Sequence, residues 1–375
     1  MGTNYRHQKI RRGGLMKIIQ VSPTFHPDIG GIETHVKEIS KRLAKKHEVY
    51  VYTTTKFKDY KKEGIIDEIK IRRFKSYAPS NAYFFSPGLY KALKNEECDI
   101  LHLHNFHAFP AYLAYRAFKN KKLKKLIFTP HYHHIASAKF RGFLHKFYDP
   151  IQSAIFKKAD KILCATRYEI ELLTEKFEIP KNKMKRIPNG IDLKRLKKYS
   201  FKKRNDPNEF KILCVSRLEK YKRIQWLITA LKEVSEKYPK KEISLTIIGK
   251  GSYGDHIRNL IKELGLKDKV IIKYNLPDDK FLQEYQKCDV FVLPSEYEAF
   301  SIVTLEALCM GKPVIVSNVG FMRDLSENTG YKISCVEDIV EGLSEIIENG
   351  FKLEFNPNEY TWDRIVEEVL KVYEE

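Results

Sequence analysis

The regular alternation of short apolar runs with amphipathic helical patterns constrains the fold of this chain more than any other feature. Each apolar run has the length of a buried strand and precedes a segment of helical periodicity, which is typical of βαβ units and parallel sheets. Strands are predicted near 16–21, 48–53, 69–73, 99–103, 125–129, 161–164, 184–187, 211–215, 243–248, 269–273, 290–293, 313–316 and 331–333. The pattern therefore predicts an α/β protein.

The length of the chain indicates more than one domain. A chain of 375 residues exceeds what a single hydrophobic core usually supports. A charged, poorly periodic stretch begins at Lys194 and interrupts the strand and helix series, so it is the best candidate for a linker. The predicted parts are a flexible basic extension at 1–15, a first domain at 16–200, a linker at 201–209, a second domain at 210–356, and a C-terminal helix at 357–375 that packs back towards the first domain.

Positive charge is concentrated in the first domain. The formal net charge is +20, and residues 1–200 contain 42 Lys and Arg against 18 Asp and Glu, whereas residues 201–375 contain 26 against 30. Such an excess attracts nucleic acid, anionic lipid or a phosphorylated substrate, although any single run can be a solvated surface. Basic and aromatic residues interleave between Lys139 and Lys161, so we expect this segment to dock on an anionic membrane surface.

Cysteine usage and hydropathy indicate the compartment. The six cysteines are scattered, without the spacing of a disulfide framework or a zinc site, which suits thiols in a reducing cytosol. No apolar run approaches the length that spans a bilayer, and no signal-peptide stretch precedes Met16. We therefore expect a cytoplasmic protein that can lie at the inner face of the membrane.

Two glutamates, Glu298 and Glu306, stand in the most informative segment of the chain. The buried strand before them ends at Pro294, and a short helix, a Gly-Lys-Pro turn and another buried strand follow. The acidic pair therefore lies at the carboxyl edge of a parallel sheet, where α/β proteins bind their ligands. Helix N-termini at that edge suit phosphate, and a carboxylate two turns further on can reach a ribose diol.

This segment resembles the signature of the family-4 retaining glycosyltransferases. The family pattern E-G-F-G-L-x-x-L-E-A-M-A-x-G-x-P-V-I is similar to E-A-F-S-I-V-T-L-E-A-L-C-M-G-K-P-V-I in this chain. The resemblance extends over nearly the whole chain from Met16. It implies the GT-B fold, in which two Rossmann-like domains face each other across a deep cleft. It also implies that the first domain binds the acceptor and the second binds a nucleotide-sugar donor.

The resemblance assigns donor-binding roles within this segment. It implies that Glu298 contacts the hydroxyls of the donor sugar and that Glu306 contacts the ribose. Residues Ala299, Phe300 and Ser301 are expected to hold the phosphates through their backbone. Ala299 and Ser301 stand where the family has glycine, and a positive φ there would be costly for alanine.

Arg217 and Lys222 are the cations expected to bind the donor diphosphate. They follow a predicted strand and precede a helix, in Cys214-Val-Ser-Arg-Leu-Glu-Lys-Tyr-Lys-Arg223. Arginine offers a bidentate fork and lysine a point charge, which suits two phosphates. The segment resembles G-R-L-x-x-x-K-G of the family. The neighbours Lys220 and Arg223 leave the assignment between the four cations open.

Two further site segments are predicted in the first domain. Gly30 and Gly31 lie between the first strand and the first helix, where glycine lets the backbone approach a ligand, and they resemble the P-x-x-G-G-x-E-x-H loop of the family. His131 follows the strand at 125–129, and similar family members place a histidine there beside the reacting sugar. Asn189 and Gly190 match the P-N-G-x-D element and are expected to serve the hinge.

No metal or other cofactor is expected. The three histidines in His131-Tyr-His-His134 lack the acidic or Cys partners of a metal cluster, and no D-x-D motif stands at a strand end. The segment Gly249-Lys-Gly-Ser-Tyr-Gly254 fits G-x-G-x-x-G, but the next strand does not end in the acidic residue that a dinucleotide site needs.

The sequence therefore predicts a metal-independent, retaining hexosyltransferase. Its donor would be a UDP-, GDP- or ADP-sugar, and its acceptor a sugar or a lipid-linked or phosphorylated glycan. One alternative keeps the fold and is a UDP-sugar 2-epimerase. The other is a basic nucleic-acid-binding protein, for which the chain has no recognisable binding motif, so no nucleic acid is expected as a partner.

Overall fold

The computed structural model describes residues 14–28, 30–57, 60–77, 84–121, 123–132, 139–199 and 206–375, and it describes only the backbone of 139–148. Most of the expected basic extension and the first half of the expected linker lie outside these ranges. The side chains of residues 139–148, in the first half of the segment expected to dock on a membrane, also lie outside the described part of the chain.

The first half of the chain forms an eight-stranded sheet. The strands are β1 Lys17–Ser22, β2 Glu48–Thr55, β3 Glu63–Ile66, β4 Ile69–Lys75, β5 Ile100–His104, β6 Lys125–Thr129, β7 Lys161–Cys164 and β8 Met184–Arg186. Their order in the sheet is β3-β4-β2-β1-β5-β6-β7-β8, and every pair is parallel except β3 with β4. The parallel order places the ends of β1, β5 and β6 side by side.

The second half forms a six-stranded, wholly parallel sheet. Its strands are β9 Glu209–Val215, β10 Glu242–Ile248, β11 Val270–Lys273, β12 Val290–Leu293, β13 Val314–Ser317 and β14 Gly330–Ile333. Their order is β11-β10-β9-β12-β13-β14. The order reverses between β9 and β12, and the segments after these two strands carry the predicted donor residues.

Helices cover both sheets. They are α1 Gly31–Ala44, α2 Pro87–Lys94, α3 Phe109–Phe118, α4 Lys139–Lys158, α5 Arg167–Phe177, α6 Leu193–Lys197, α7 Ile224–Lys237, α8 Gly254–Glu263, α9 Asp278–Lys287, α10 Ile302–Cys309, α11 Gly320–Arg323, α12 Val336–Asn349 and α13 Trp362–Glu374. Within the described ranges, no helix is both long and apolar enough to cross a membrane.

The predicted α/β fold is confirmed, and each predicted strand agrees with the structure to within two residues. Two elements were not predicted. The antiparallel strand β3 lies at the edge of the first sheet, and its sequence Glu-Gly-Ile-Ile carries little periodicity. The helix α6 forms at the start of the charged stretch, because Asp192 caps it and Leu193 and Leu196 are buried.

The last helix, α13, belongs to the core of the first domain. Its apolar face buries Trp362, Val369 and Tyr373 against the sheet side that α1 also covers. The backbone N–H of Ile191 donates to the carbonyl of Tyr360 at 2.7 Å, and Gly190 leaves the space that the Trp362 ring occupies. The chain therefore crosses from the second domain back to the first.

Candidate functional site

The segment between β12 and α10 is built around a helix N-terminus. Ser301 caps α10, since its Oγ accepts a hydrogen bond from the backbone N–H of Thr304 at 3.3 Å and lies 2.8 Å from the Thr304 hydroxyl. Ser301 has φ −92°, and neither it nor Ala299 adopts a positive φ. The departures from glycine therefore cause no backbone strain, and Phe300 packs on Phe321 below the loop.

Glu298 forms an ion pair with Lys222, and both side chains are largely buried. The Ser295 hydroxyl donates a further hydrogen bond to Glu298 at 3.3 Å. Two predicted donor residues that are 76 positions apart in the chain are thus in direct contact. Gly320 adopts φ +53° and lies so close to the Glu298 carbonyl that a Cβ would overlap it, so glycine is required there.

Glu306 lies on α10 and is 6% exposed. The Arg195 guanidinium donates to it at 2.8 Å and the Tyr285 hydroxyl at 3.2 Å. Burial raises the pKa of the Glu306 carboxyl, and the bond from Arg195 opposes that rise only in part. Arg195 also binds Asp278 through two oxygens at 2.8 and 3.0 Å. Arg195 was not predicted as a site residue, because it lies in the charged stretch that is expected to lead into the linker.

Arg217 is exposed at the end of β9 and donates to the Tyr221 hydroxyl. The glycine-rich segment after β10 lies directly against this loop. A Cβ at Gly249 would overlap the Ser216 carbonyl, and a Cβ at Gly251 would overlap that of Leu218. These glycines therefore allow close packing that holds the Arg217 loop in place.

The Gly30-Gly31 loop lies opposite the donor segment. A Cβ built on Gly31 would be 4.0 Å from the Cδ1 atom of Ile302, which is the first residue of α10. Gly30 is the extended N-cap of α1. The first β–α turn of the first domain therefore meets the start of α10 in the second domain, which brings the predicted residue Gly31 next to the segment that contains Ser301.

The two domains also contact each other further along the cleft. The Asp324 carboxylate accepts hydrogen bonds from the Arg167 backbone N–H at 2.9 Å and from Arg186 Nε at 3.0 Å. Arg323 pairs with Glu171 at 3.1 Å. Residues 323 and 324 follow β13 and the other three belong to the first domain, so these pairs hold the carboxyl edges of the two sheets together.

His131 follows β6 in a left-handed conformation with φ 48°, and it is half-buried. Glu169 holds the backbone around it: Glu169 accepts from the backbone N–H of Tyr132 at 2.6 Å and from that of Ala165 at 2.7 Å. Burial raises the pKa of Glu169 to about 7, against the opposing effect of these two N–H groups. Glu169 was not predicted as a site residue, because its sequence pattern is that of an ordinary helix.

The Asn189-Gly190 element connects three parts of the molecule. The Asn189 side-chain oxygen lies 2.7 Å from His35 Nδ1, and Gly190 faces Trp362. Asp192 then caps α6 with bonds of 3.0 and 3.1 Å to the backbone, which presents Arg195 to Glu306. This element therefore connects the first domain, the last helix and, through α6, the Arg195–Glu306 pair.

Comparison with known proteins agrees with this architecture. The family model Glycosyl transferases group 1 matches residues 197–372, and the model Glycosyltransferase Family 4 matches residues 29–195. The chain therefore belongs to the glycosyltransferases of group 1 and family 4.

Two curated relatives illustrate the similarity. The uncharacterized glycosyltransferase MJ1607 of Methanocaldococcus jannaschii is 32% identical over 218 residues, which are 52% of this chain and 55% of that protein. The alignment thus spans about half of that relative. The alpha-monoglucosyldiacylglycerol synthase of Streptococcus pneumoniae is 25% identical over 339 residues, which are 83% of this chain and 73% of that protein.

Solved structures show the same fold. Sucrose-phosphate synthase from Thermosynechococcus elongatus has a TM-score of 0.76 at 18% identity, with 96% of this chain and 98% of that chain covered. Anabaena Alr3699/HepE in complex with UDP has a TM-score of 0.74 at 16% identity, with 96% and 100% covered. The predicted GT-B fold is confirmed.

Glu169 generates a prediction for the pH dependence of stability. Its pKa of about 7 in the folded protein exceeds the ordinary value of 4.5, so the folded state binds its proton more tightly than the unfolded state. As the pH rises from about 4.5 to 7, this group therefore lowers the free energy of unfolding by up to about 3 kcal/mol. Urea unfolding at pH 5 and pH 7 measures the change.

The substitution Glu169→Gln removes the titrating group, so the loss of stability between pH 5 and pH 7 should become smaller. The control is Glu175→Gln on the exposed face of the same helix, which should leave the loss unchanged. An equal loss in the wild type and in Glu169→Gln would contradict the prediction.

Proposed function

We propose that this chain is a retaining hexosyltransferase that transfers a sugar from a UDP-, GDP- or ADP-sugar to an acceptor hydroxyl without a metal ion at the diphosphate. The observation that carries the proposal is the contact between Lys222 and Glu298 at the α10 terminus, opposite Gly31. The Lys222 ammonium group suits a phosphate and the Glu298 carboxylate suits a sugar hydroxyl, and the two groups lie side by side.

Each residue of the donor site then has a role that its chemistry supports. Arg217 and Lys222 bind the diphosphate and stabilise the charge that develops as it leaves, together with the backbone N–H groups of residues 299–301. Glu298 orients the sugar through its hydroxyls. Glu306, held by Arg195 and Tyr285, accepts hydrogen bonds from the ribose.

The reaction at the anomeric carbon takes place on one face of the sugar. The acceptor hydroxyl approaches from the side on which the diphosphate leaves, and a departing phosphate oxygen takes its proton. His131 lies on the acceptor side beside the sugar, and Glu169 holds its backbone. This course retains the anomeric configuration.

A cavity of about 440 Å³ supports an acceptor that has both apolar and anionic parts. It begins at Pro27 and Asp28, just before the Gly30-Gly31 loop. Phe57 and Ile65 line the cavity with apolar side chains, and Lys61 and Arg73 line it with positive charge. A lipid-linked or phosphorylated acceptor fits these walls, and the similar Streptococcus pneumoniae protein is named as a synthase of a glucosylated diacylglycerol.

Donor binding is tested by thermal unfolding of the protein with UDP, GDP or ADP. One nucleotide should raise the unfolding midpoint, since a ligand at 100 times its Kd stabilises the folded state by about 2.7 kcal/mol. Arg217→Ala should weaken binding about 10- to 100-fold, because it removes a charge-assisted hydrogen bond. Lys240→Ala, on an exposed site of the second domain, is the control.

The same experiment in EDTA tests the absence of a metal ion from the diphosphate site. The midpoint increase caused by the nucleotide should persist in EDTA. An increase that disappears in EDTA and returns with manganese would contradict metal independence, and no increase with any nucleotide would contradict the proposed donor.

The stereochemistry of transfer is tested with the sugar nucleotide that binds and with dioleoylglycerol or a polyprenyl-diphosphate sugar as acceptor. NMR of the product should show the anomeric configuration of the donor. Glu298→Gln should lower kcat about 10- to 100-fold and leave nucleotide binding in place, because a charged hydrogen bond to the sugar is lost. Glu327→Gln, at an exposed position of the second domain, is the control. Epimerised donor without transfer would support the epimerase instead.

We also propose that the enzyme is cytoplasmic and docks at the inner face of the membrane through Lys139–Lys161. The described end of α4 exposes Ile151 and Lys158, which are seven residues apart and share a helix face, and Lys157 is exposed beside them. An apolar side chain flanked by lysines suits an anionic lipid surface. The proposed compartment is supported by six cysteines that are all thiols.

Flotation with vesicles of phosphatidylglycerol and phosphatidylcholine measures this docking. Replacing Lys157 and Lys158 by Glu should reduce the bound fraction, since each lysine near the surface contributes about 1 kcal/mol. Replacing Lys240 and Lys352 by Glu makes the same change of charge on the second domain and should have no effect. Binding that is insensitive to salt, or equal reduction by both pairs, would refute the docking site.

A further inference from the structure

Three histidines converge at the carboxyl edge of the first sheet. His35 lies on α1, His104 ends β5, and His131 follows β6, and one ring nitrogen of each lies within 4.8 Å of the others. The ring centroids of His35 and His131 are 5.0 Å apart, and those of His104 and His131 are 6.0 Å apart. These residues are 69 and 27 positions apart in the chain, so only the fold brings them together.

The outer nitrogens of two of these rings are held by amide oxygens. His35 Nδ1 donates to the Asn189 side-chain oxygen at 2.7 Å, and His104 Nε2 donates to the Gln20 side-chain oxygen at 2.5 Å. A neutral imidazole that donates from one nitrogen carries a lone pair on the other. With the proton held by these two bonds, His35 Nε2 and His104 Nδ1 each carry a lone pair and no proton.

These two acceptor nitrogens are buried at a cost. His35 is 3% exposed and His104 is fully buried. Neither His35 Nε2 nor His104 Nδ1 has a hydrogen-bond partner among the residues that the structure describes. Leaving a buried acceptor unsatisfied costs about 1–3 kcal/mol, so two of them in one cluster indicate a ligand that accepts lone pairs.

A neighbouring histidine shows how the chain satisfies a buried imidazole that has only a structural role. His102 lies on the same strand as His104 and is also fully buried. Its Nδ1 lies 2.6 Å from the Tyr373 hydroxyl, and its Nε2 lies 2.7 Å from the Thr129 hydroxyl. Both nitrogens of His102 are paired, which distinguishes it from the cluster.

We propose that His35, His104 and His131 bind a divalent transition metal ion, and that zinc is the ion that fits best. Zinc accepts three imidazole ligands in a tetrahedral site and keeps its fourth position for water or a substrate oxygen. Its Zn–N bonds of about 2.0–2.1 Å place the nitrogens of a tetrahedral site about 3.3 Å apart, so the three rings would move closer together on binding than the 4.8 Å of this structure.

The side-chain amides of Asn189 and Gln20 can orient the histidines, as hydrogen-bond partners of metal ligands do in zinc sites. A histidine that binds a metal through one nitrogen usually donates from the other, and this bond fixes its tautomer and orientation. Asn189 and Gln20 do this for two of the three ligands. The three ligands belong to the first domain, whereas Arg217 and Lys222 belong to the second, and a bound ion would fix the orientation of the His131 ring.

The histidines from which no metal was predicted are His131, His133 and His134, and the last two lie outside the described residues. The cluster uses His131 with His35 and His104 instead. Its donor set is three neutral imidazoles, which suits zinc and does not need the acidic or Cys ligands that the sequence lacks nearby.

Titration of the full-length, EDTA-treated protein with Zn²⁺ against a chromophoric chelator tests the site. We expect one tightly bound zinc ion per chain, and we expect Co²⁺ to give the visible absorption of a tetrahedral site. His104→Ala and His131→Ala should abolish both signals. Gln20→Ala keeps all three ligands and should weaken zinc binding about 10- to 100-fold.

His102→Gln is the matched control, because it changes an adjacent buried histidine outside the cluster and should leave zinc binding intact. Unfolding curves show which variants are folded. If His104→Ala does not fold, the test rests on His131→Ala, which changes a half-buried residue, and on Gln20→Ala, which retains all three histidines. No tight zinc binding by the wild type would overturn the inference, as would equal binding by His131→Ala. Nucleotide binding is measured separately, so failure of this site is distinguishable from failure of the proposed function.

Discussion

Burial of the apolar face of α13 against the first sheet is the interaction on which the rest of the structure depends. Six of its side chains are buried, from Trp362 to Tyr373. At about 1.5–3 kcal/mol for each large apolar side chain, this face contributes on the order of 10 kcal/mol before the entropy of ordering is subtracted. Because the chain reaches α13 only after completing the second domain, this burial ties the end of the second domain to the first.

The same helix reaches the cleft through hydrogen bonds. The Tyr373 hydroxyl contacts His102 and Gln20, and Gln20 in turn holds His104 in the histidine cluster. At the other end of α13, Trp362 packs on Gly190, next to the Asn189 that orients His35. His104 is therefore held by a residue that bonds to the last helix, and His35 by the neighbour of a glycine that packs on it.

Strands and long helices could be predicted because their hydrophobic period is local. The strands at 125–129, 161–164 and 290–293 were predicted with the bounds that the structure has. The edge strand β3 was missed because one antiparallel neighbour determines it, and α6 because only two leucines and a cap distinguish it from a charged loop. Arg195 was missed with α6, since its importance arises from Glu306, which lies 111 positions away.

The sequence by itself determined the α/β architecture, the family and the residues of the α10 segment, because a strand-to-helix junction is encoded within a few consecutive positions. The tertiary structure alone decided which of these residues meet. The pairing of Lys222 with Glu298, the approach of Gly31 to Ile302 and the convergence of three histidines join segments far apart in the chain. The first and third of these contacts form inside one domain and the second forms between the two domains, and no local sequence pattern records any of them.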